Sequence, residues 1–279
     1  MKLGYNTNGL PHHRWDDALD LIAETGYTSV ALTVDHHCLN PFAPDWRDEA
    51  DRVRRALNDR KLGCVIETGA RFLLNPRVKH EPTLVSPDAD ERSVRVGFLK
   101  HCVDIAELLD ADAVSFWSGI LRDDVPRTTA MKRLATGCRE VAGYAAARGI
   151  RLAFEPEPGM FVERFADFAE LRDRVAAPRF GLTIDVGHVH CLDDGIIADR
   201  LREWGHLLFN VHVEDMRRGV HEHLPFGEGE IDFPPALAAL REIGYTGGVH
   251  VELSRLGHAA PQLLRESFQF LTEILRDMS

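Results

Sequence analysis

Short apolar runs recur along the whole chain and predict β-strands. Runs rich in Val, Ile and Leu, bounded by polar residues, are typical of strands that are covered on both faces. A glycine often precedes such a run, where it can supply the left-handed residue that ends a helix. The predicted strands lie in "KLGYNT" near the start and in 24–34, 59–68, 108–117, 146–157, 178–187, 202–214 and 241–253.

Amphipathic segments separate these runs and predict helices. In "AMKRLATGCREVAGYAAARG", Met131, Leu134, Cys138 and Val141 recur three and four residues apart, which places them on one helix face. The predicted helices cover approximately 14–25, 46–61, 90–109, 127–148, 163–176, 195–204, 234–243 and 261–277.

Eight strands alternating with eight helices predict an α/β fold, a single (β/α)8 TIM barrel. A length of 279 residues is normal for such a barrel. No linker or low-complexity tract divides the sequence, so we expect one domain over residues 1–279. The alternative is a doubly wound open sheet. That fold commonly carries a glycine-rich phosphate loop after its first strand, and "GYNTNGLPHH" contains none.

Composition favours a soluble protein of the cytoplasm. Hydrophobic residues make up 44% of the chain and charged residues 28%, and no stretch approaches the roughly 20 apolar residues of a membrane helix. The start, "MKLGYNTNGLPHHRW", lacks the apolar run of a signal peptide. The five cysteines are scattered and odd in number, which favours reduced thiols. We therefore expect a cytoplasmic protein that does not enter a membrane.

The charge balance narrows the range of partners. A formal charge of −11, from 33 basic and 44 acidic residues, disfavours binding to nucleic acid, which draws on basic surface. It leaves room for a local basic pocket, and a bound metal ion could neutralise part of the acidity. The oligomeric state stays open at this point, with a homo-oligomer as one alternative.

Polar side chains stand at the carboxyl ends of the predicted strands, where barrel enzymes hold their active sites. The last four strands end on Glu155, Asp185, His212 and Glu252. Carboxylates that converge in one barrel mouth would repel one another and would be costly to desolvate, unless a cation lay between them. Three carboxylates and one imidazole suit a single divalent cation, which we expect to be Mn²⁺, Mg²⁺, Co²⁺ or Zn²⁺.

These segments resemble the xylose-isomerase-like barrel superfamily, which includes sugar isomerases, ketose epimerases, inosose dehydratases and metal-dependent abasic-site endonucleases. The resemblance is carried by "FEPEPG", "TIDVGHVH", "NVHVED", "LPFGEGEIDF" and "GVHVEL". It implies that Glu155, Asp185, His212 and Glu252 are the metal ligands. In the ketose epimerases the matching glutamates also move protons on opposite faces of the substrate, which implies that Glu155 and Glu252 are the catalytic acid/base pair.

Further residues are candidates for substrate contacts. The resemblance implies that His188 contacts the substrate and that Arg217, or its neighbour Arg218, holds substrate oxygens. Trp117, at the end of the fourth predicted strand, could form an apolar wall against a sugar ring. Glu157 lies two residues beyond a predicted ligand, on the same strand face.

Two loop segments allow more than one interpretation. His221 and His223 precede the motif "GEGEID". In the nuclease branch, residues at that place bind extra zinc ions, but we favour a loop that closes over the substrate. Residues 76–91 form a long, proline-containing excursion after the third strand, which we interpret as a lid over the mouth or a dimer contact.

The function that these residues favour is isomerisation or epimerisation of a small sugar, keto-sugar or polyol-derived substrate. Removal of a proton next to a carbonyl leaves an enediolate, which a cation stabilises, and two carboxylates can take and return the proton. The alternative is a dehydratase of an inosose-like substrate. An abasic-site endonuclease is disfavoured by the negative charge and by "SFWSG" in the fourth strand, which offers tryptophan instead of histidine ligands. A binding barrel without catalysis is disfavoured because both acid/base glutamates are present. Because no phosphate cradle is legible, we expect an unphosphorylated substrate.

Overall fold

Eight parallel strands close into a barrel in the computed structural model, which describes residues 1–278. Each strand pairs with its neighbour in the chain, and the last pairs with the first through Lys2 and Gly248. The barrel strands are β1 (Lys2–Asn6), β2 (Ser29–Thr33), β3 (Gly63–Glu67), β4 (Val114–Phe116), β5 (Leu152–Phe154), β6 (Phe180–Asp185), β7 (Leu208–Val213) and β10 (Gly248–Val251). The predicted TIM barrel is therefore confirmed.

Helices follow the strands and form the outer layer. They are α1 (Trp15–Thr25), α2 (Trp46–Asp59), α3 (Ala89–Leu109), α4 (Arg127–Ala146), α5 (Phe165–Val175), α6 (Val186–Cys191), α7 (Ile197–Trp204), α8 (Phe233–Glu242) and α9 (Ala260–Asp277). The predicted helices agree with these bounds to within two residues at each end. No helix within residues 1–278 is long and apolar enough to cross a bilayer.

Two local elements were absent from the sequence-based prediction. The short helix α6 begins directly at the end of β6, and the Asp185 carboxylate caps it by accepting a hydrogen bond from the His188 backbone N–H. After β7, the antiparallel strands β8 (Asp215–Arg217) and β9 (Val220–Leu224) form a hairpin beside the barrel mouth. Asp215 fixes this hairpin, because its carboxylate accepts backbone N–H bonds from Gly227 and Ile231.

The apolar core lies mainly between the strands and the helices. Phe116, Phe154 and Phe180 lie on neighbouring strands β4 to β6, and their rings contact one another. Phe168 of α5 packs against the Phe154 and Phe180 rings, and Trp204 of α7 packs edge-on against Phe168. This packing anchors β5 and β6, whose ends carry two of the predicted ligands, Glu155 and Asp185.

The barrel interior contains a chain of hydrogen-bonded polar side chains. Ser29 donates to His250 Nε2 over 2.9 Å, and His250 Nδ1 donates to Asn210 Oδ1 over 2.8 Å. Asn210 Nδ2 in turn donates to Glu67 Oε1 over 3.1 Å. Burial lowers the pKa of His250 to about 3, which keeps the ring neutral within this chain. The chain supports the polar groups at the barrel mouth from below.

Candidate active site

A cavity of about 230 Å³ opens at the carboxyl ends of the strands. This is the end of the barrel at which TIM-barrel enzymes carry out their chemistry. Polar side chains dominate its wall, which is formed by Asn6, Asn8, Thr33, Glu67, Gly69, Arg71, Lys79, His80, Trp117, Glu155, Glu157, His188, His221, His223, Glu252, Ser254 and Arg255.

The four predicted metal ligands converge at the bottom of this cavity. Glu155 directly follows β5, Asp185 ends β6, His212 lies on β7 and Glu252 directly follows β10. The register of β6 and β7 pairs Asp185 with His212. One donor atom from each of the four residues lies within 4.8 Å of the others. The structure thus brings together the complete predicted set.

Electrostatic interactions in this group are strong because water is excluded. His212 Nδ1 lies 2.9 Å from Glu252 Oε2 and 3.1 Å from Glu155 Oε1. Burial favours the neutral imidazole, but the surrounding carboxylates, Glu252 and Glu67 foremost, raise the pKa of His212 well above 6.5. Burial raises the pKa of Glu155 to about 8, whereas the His212 charge outweighs burial at Glu252 and lowers its pKa.

The donor atoms in this group fit a divalent cation. Asp185 Oδ2 is buried and accepts no hydrogen bond from the described part of the chain, so its lone pairs face the group unused. Buried carboxylates without donors are costly unless a positive charge neutralises them. One cation bound by the three carboxylates and the imidazole would provide that positive charge.

Glu214 is a member of the site that the sequence-based ligand set did not include. Its side chain is fully buried, and neither carboxylate oxygen receives a hydrogen bond from residues 1–278. It forms a second group with Asp185, His223 and Glu252, in which the donor atoms again lie within 4.8 Å of one another. The signal was present in the sequence, because Glu214 lies two residues beyond His212 and therefore on the same strand face.

Three histidines line the side of the cavity next to α6 and the hairpin. The rings of His221 and His223 lie 4.8 and 5.9 Å from that of His188, centroid to centroid. Burial and the neighbouring rings lower the pKa of His221 to about 3, and burial also lowers that of His188, so both offer neutral imidazoles. His223 Nδ1 donates to the Glu252 backbone carbonyl over 3.1 Å, which ties β9 to the end of β10. The hairpin thus covers one side of the site.

Trp117 and Glu157, two other predicted substrate contacts, also line the cavity. The Trp117 ring contacts the His80 ring at 5.3 Å and stacks on the guanidinium of Arg95 at 4.5 Å. Burial, together with the charge of Glu155, raises the pKa of Glu157 well above 4.5. Both residues are therefore placed to contact a molecule in the cavity.

The structure places Arg217 and Arg218 apart from the other predicted substrate contacts. Arg217 is exposed on β8, outside the cavity wall, and its guanidinium donates to the Glu228 carbonyl over 2.9 Å. Arg218 is also exposed and forms an ion pair with Asp193. A contact between either arginine and a molecule in the cavity stays a prediction.

The cations that do line the cavity were missed. They are Arg71 and Lys79 in the loop after β3, and Arg255 in the turn after β10. These segments have no periodic pattern from which the direction of their side chains could be predicted. Asn8 was also left unassigned, although its Nδ2 donates to Glu252 Oε1 over 2.5 Å.

Comparison with known families agrees with this geometry. The family model described as "Xylose isomerase-like TIM barrel" matches residues 19–274, which is most of the chain. The chain belongs to the xylose isomerase-like TIM barrel family. The resemblance that the strand-end motifs indicated is thereby confirmed.

Individual members of the xylose isomerase-like family cover nearly all of the chain. L-ribulose-5-phosphate 3-epimerase UlaE of Shigella flexneri is 24% identical over 255 residues, which make up 91% of this chain and 87% of that protein. The structure of an L-ribulose 3-epimerase superposes with a TM-score of 0.78 at 17% identity and covers 99% of this chain and 95% of that one. The structure of IolI with a bound zinc atom gives 0.78 at 18% identity, with 99% of each chain covered. At these identities the structural similarity shows the shared fold.

Proposed function

We propose that this chain is a divalent-metal-dependent epimerase or isomerase of a small keto-sugar. The observation that carries the proposal is the convergence of Glu155, Asp185, His212 and Glu252 at the bottom of the cavity, with donor atoms within 4.8 Å of one another. Membership of the xylose isomerase-like family supports it. So does the activity for which the Shigella relative is named, 3-epimerisation of L-ribulose 5-phosphate.

One divalent cation, Mn²⁺, Mg²⁺, Co²⁺ or Zn²⁺, is assigned to these four residues. The ligand set is mostly hard oxygen with one imidazole, which suits all four ions. A cation bound there supplies positive charge that stabilises negative charge on a substrate oxygen next to the reacting carbon. Asp185 Oδ2, which is buried and accepts no hydrogen bond from the described part of the chain, supports this assignment as an available ligand atom.

Glu155 and Glu252 are assigned as the acid/base pair because they approach the cavity from different sides. Two strands, β6 and β7, separate β5 from β10 in the barrel, yet both carboxylates reach His212 Nδ1. The proposal places the reacting sugar carbon between these two carboxylates. One carboxylate removes the proton next to the carbonyl, and the other delivers a proton to the opposite face, which inverts the stereocentre. Asn8 holds Glu252 in position.

The substrate is assigned to the space between Trp117 and the histidine side of the cavity. Trp117 offers an apolar surface against which the C–H face of a sugar can pack. Glu157, His188 and His223 offer polar atoms for its hydroxyl groups. A site that pairs hydroxyl groups with buried polar atoms discriminates strongly against analogues that lack them.

The proposal is tested by solvent exchange during turnover. Protein loaded with Mn²⁺ is incubated in D₂O with a panel of ketopentoses, ketohexoses and their phosphates, and the products are identified by NMR and mass spectrometry. An epimer or isomer that carries solvent deuterium at the reacting carbon is the expected product. Glu252→Gln should reduce turnover by roughly 100-fold or more. Glu228→Gln, which changes an exposed carboxylate outside the cavity wall, is the matched control.

Two results would contradict the proposal. Formation of a dehydrated product that absorbs ultraviolet light would show that the protein is a dehydratase and not an epimerase. Full activity of Glu252→Gln would remove that residue from the acid/base pair, since a carboxamide cannot take up the substrate proton.

A further inference from the structure

We propose that Arg71, Lys79 and Arg255 form a subsite at the cavity rim for an anionic group of the substrate, a phosphate or a carboxylate. All three residues line the same cavity as the candidate metal ligands. The inference rests on the proposed function, because it assigns the second end of the same sugar substrate. It differs from the sequence-based expectation of an unphosphorylated substrate.

The three cations have no carboxylate partners of their own. No Asp or Glu oxygen within residues 1–278 lies within 4.0 Å of their charged nitrogens. Other arginines near the barrel mouth are paired, for example Arg122 with Glu81 at 2.5 Å. A cluster of unpaired cations is unusual in a chain with a formal charge of −11. Such a cluster creates a local positive potential that attracts anions against the charge of the whole molecule.

The cations also lie close enough to repel one another. Partial burial lowers the pKa of Lys79, and the charges of Arg71 and Arg255 lower it further. Like charges held together raise the free energy of the empty site, and an anion bound between them would remove that repulsion. Arginine presents a planar fork that matches the oxygens of phosphate and carboxylate groups, while lysine adds a mobile point charge.

Hydrogen bonds fix the loop that carries two of the three cations. The His80 backbone N–H donates to the Arg71 carbonyl over 2.5 Å, and His80 Nδ1 donates to the Gly69 carbonyl over 2.6 Å. The Arg71 guanidinium donates to the Asn8 carbonyl over 2.9 Å, which joins the loop to the segment after β1. These contacts close the loop into a ring that holds Arg71 and Lys79 at the mouth. A preformed arrangement of this kind binds its ligand at a lower entropic cost than a free loop does.

The end of the cavity that holds the candidate metal ligands is acidic. Glu155 and Glu252 line it, next to the buried Asp185 and Glu214. Glu157 lies closer to the cations, since its charge partly offsets the lowering of the Lys79 pKa. An anionic group would be attracted to Arg71, Lys79 and Arg255 and repelled by the carboxylates of the acidic end. The uncharged carbonyl and hydroxyl groups of such a substrate would then lie at the metal ligands.

A buried arginine strengthens the cationic side. Arg95 is fully buried, donates to the Thr68 carbonyl over 2.9 Å and stacks on Trp117 at 4.5 Å. Its Nε and Nη1 groups donate to no hydrogen-bond acceptor within residues 1–278. Because no carboxylate pairs with it, its charge adds to the potential of the rim behind Trp117.

Binding of simple anions tests the subsite without relying on turnover. Inorganic phosphate and glucuronate are titrated into metal-loaded protein by calorimetry, at low and at physiological salt. We expect at least one of them to bind, with an affinity that falls as salt rises. Arg71→Met, Lys79→Met and Arg255→Met should each weaken binding about tenfold. Arg77→Met, an exposed residue on the same loop but outside the cavity wall, should leave it unchanged.

The two probes distinguish the sources of the anion. Binding of phosphate alone assigns a sugar phosphate, and binding of glucuronate alone assigns a sugar acid. Circular dichroism and thermal unfolding of each variant check that its fold is retained. Binding of neither anion, or equal binding by the three methionine variants and wild type, would overturn the inference.

Turnover measurements separate this inference from the proposed function. With an active anionic keto-sugar, the methionine variants should raise KM about tenfold with little change in kcat. With the neutral sugar of the same configuration, KM should rise less than it does with the anionic sugar. Epimerisation that shows no preference for the anionic sugar would contradict the subsite alone. Anion binding at these residues in a protein that exchanges no proton with any keto-sugar would contradict the proposed function alone.

Discussion

His212 donates its Nε2–H to Glu67 Oε1 over 2.9 Å, while its Nδ1 faces the candidate ligand side of the site. This relationship fixes the orientation of the ring. Histidine ligands of metals almost always donate their second N–H to a carboxylate or a carbonyl, which sets the tautomer and increases the basicity of the ligand nitrogen. Glu67, which lies outside the four-ligand group, is therefore a positioning residue for His212.

Replacement of Glu67 should weaken metal binding although the residue itself is not a ligand. Glu67→Ala removes the acceptor, and we expect the affinity for Mn²⁺ or Zn²⁺ to fall by roughly 10–100-fold. Glu67→Gln keeps an acceptor oxygen, so its affinity for the metal ion should fall less than that of Glu67→Ala. Competition with a chelating dye measures the affinity, and Glu228→Ala is the exposed control. Equal affinity in wild type and Glu67→Ala would show that the bond has no positioning role.

Loss of His212 should destabilise the protein in the absence of metal. Its imidazole contacts the buried carboxylates of Glu67, Glu155 and Glu252 at 2.9 to 3.1 Å. Removal of one partner from a buried ion pair commonly costs about 3–5 kcal/mol, because the remaining charge is left uncompensated. We therefore expect His212→Gln to lower the urea midpoint strongly in EDTA. His206→Gln, at an exposed position, should leave it nearly unchanged, and a midpoint of His212→Gln equal to that of wild type would contradict the ion-pair account.

Regular elements could be predicted because their residues repeat with the geometry of the backbone. The apolar runs and the helix patterns each have a period that the fold imposes, so every predicted strand segment contains a barrel strand, and the predicted helices have nearly correct bounds. The same alternation placed Glu155, Asp185 and His212 at the ends of neighbouring strands. The ends of parallel barrel strands meet at one mouth, and for that reason residues far apart in sequence could be predicted to converge.

Irregular segments could not be predicted in this way. Arg71, Lys79 and Arg255 lie in loops whose backbone bonds, such as that from His80 to Arg71, are specific to this tertiary structure. The place of Arg217 outside the cavity wall could not be predicted either, because the β8–β9 hairpin that carries it has no signal comparable to the barrel repeat. Direction in a loop depends on contacts that form only when the whole barrel is assembled.

His80 should make stability depend on pH. Burial, followed by the charges of Lys79 and Arg95, lowers its pKa to about 4, compared with 6.5 in an unfolded chain. Between these values the unfolded chain binds a proton that the folded protein does not. Stability should therefore fall as the pH drops from about 6.5 to about 4, by at most about 1.4 kcal/mol per unit and by less for a partly exposed ring.

Replacement of this ring should flatten the pH dependence. The urea midpoint of His80→Gln, measured at about pH 7 and about pH 5, should change less between the two than that of wild type. His258→Gln, an exposed histidine, should behave as wild type does. If His80→Gln and wild type lost the same stability over this range, the depressed pKa of His80 would be wrong.

Glu214 should have opposite effects on the metal-free and the metal-loaded protein. Burial, followed by the charge of the adjacent Asp185 carboxylate, raises the pKa of Glu214 well above 4.5. Keeping this buried group protonated costs stability above the pH at which the unfolded chain ionises, and Glu214→Gln removes that cost while it still offers Asp185 a donor. In EDTA we expect the variant to be more stable than wild type by about 1–2 kcal/mol.

With a divalent cation bound, Glu214→Gln should instead be less stable than wild type. Glu214, Asp185, His223 and Glu252 have donor atoms within 4.8 Å of one another, so the Glu214 carboxylate would contribute negative charge to an ion bound there. Its replacement by an amide should reduce the gain in thermal stability on addition of Mn²⁺ or Zn²⁺, since that gain follows the affinity for the ion. The control variant Glu228→Gln should gain as much thermal stability from the ion as wild type does. If Glu214→Gln changed the stability in the same direction with and without metal, Glu214 would affect the fold alone. A residue that binds the ion must change the stability of the metal-loaded protein differently from that of the metal-free protein.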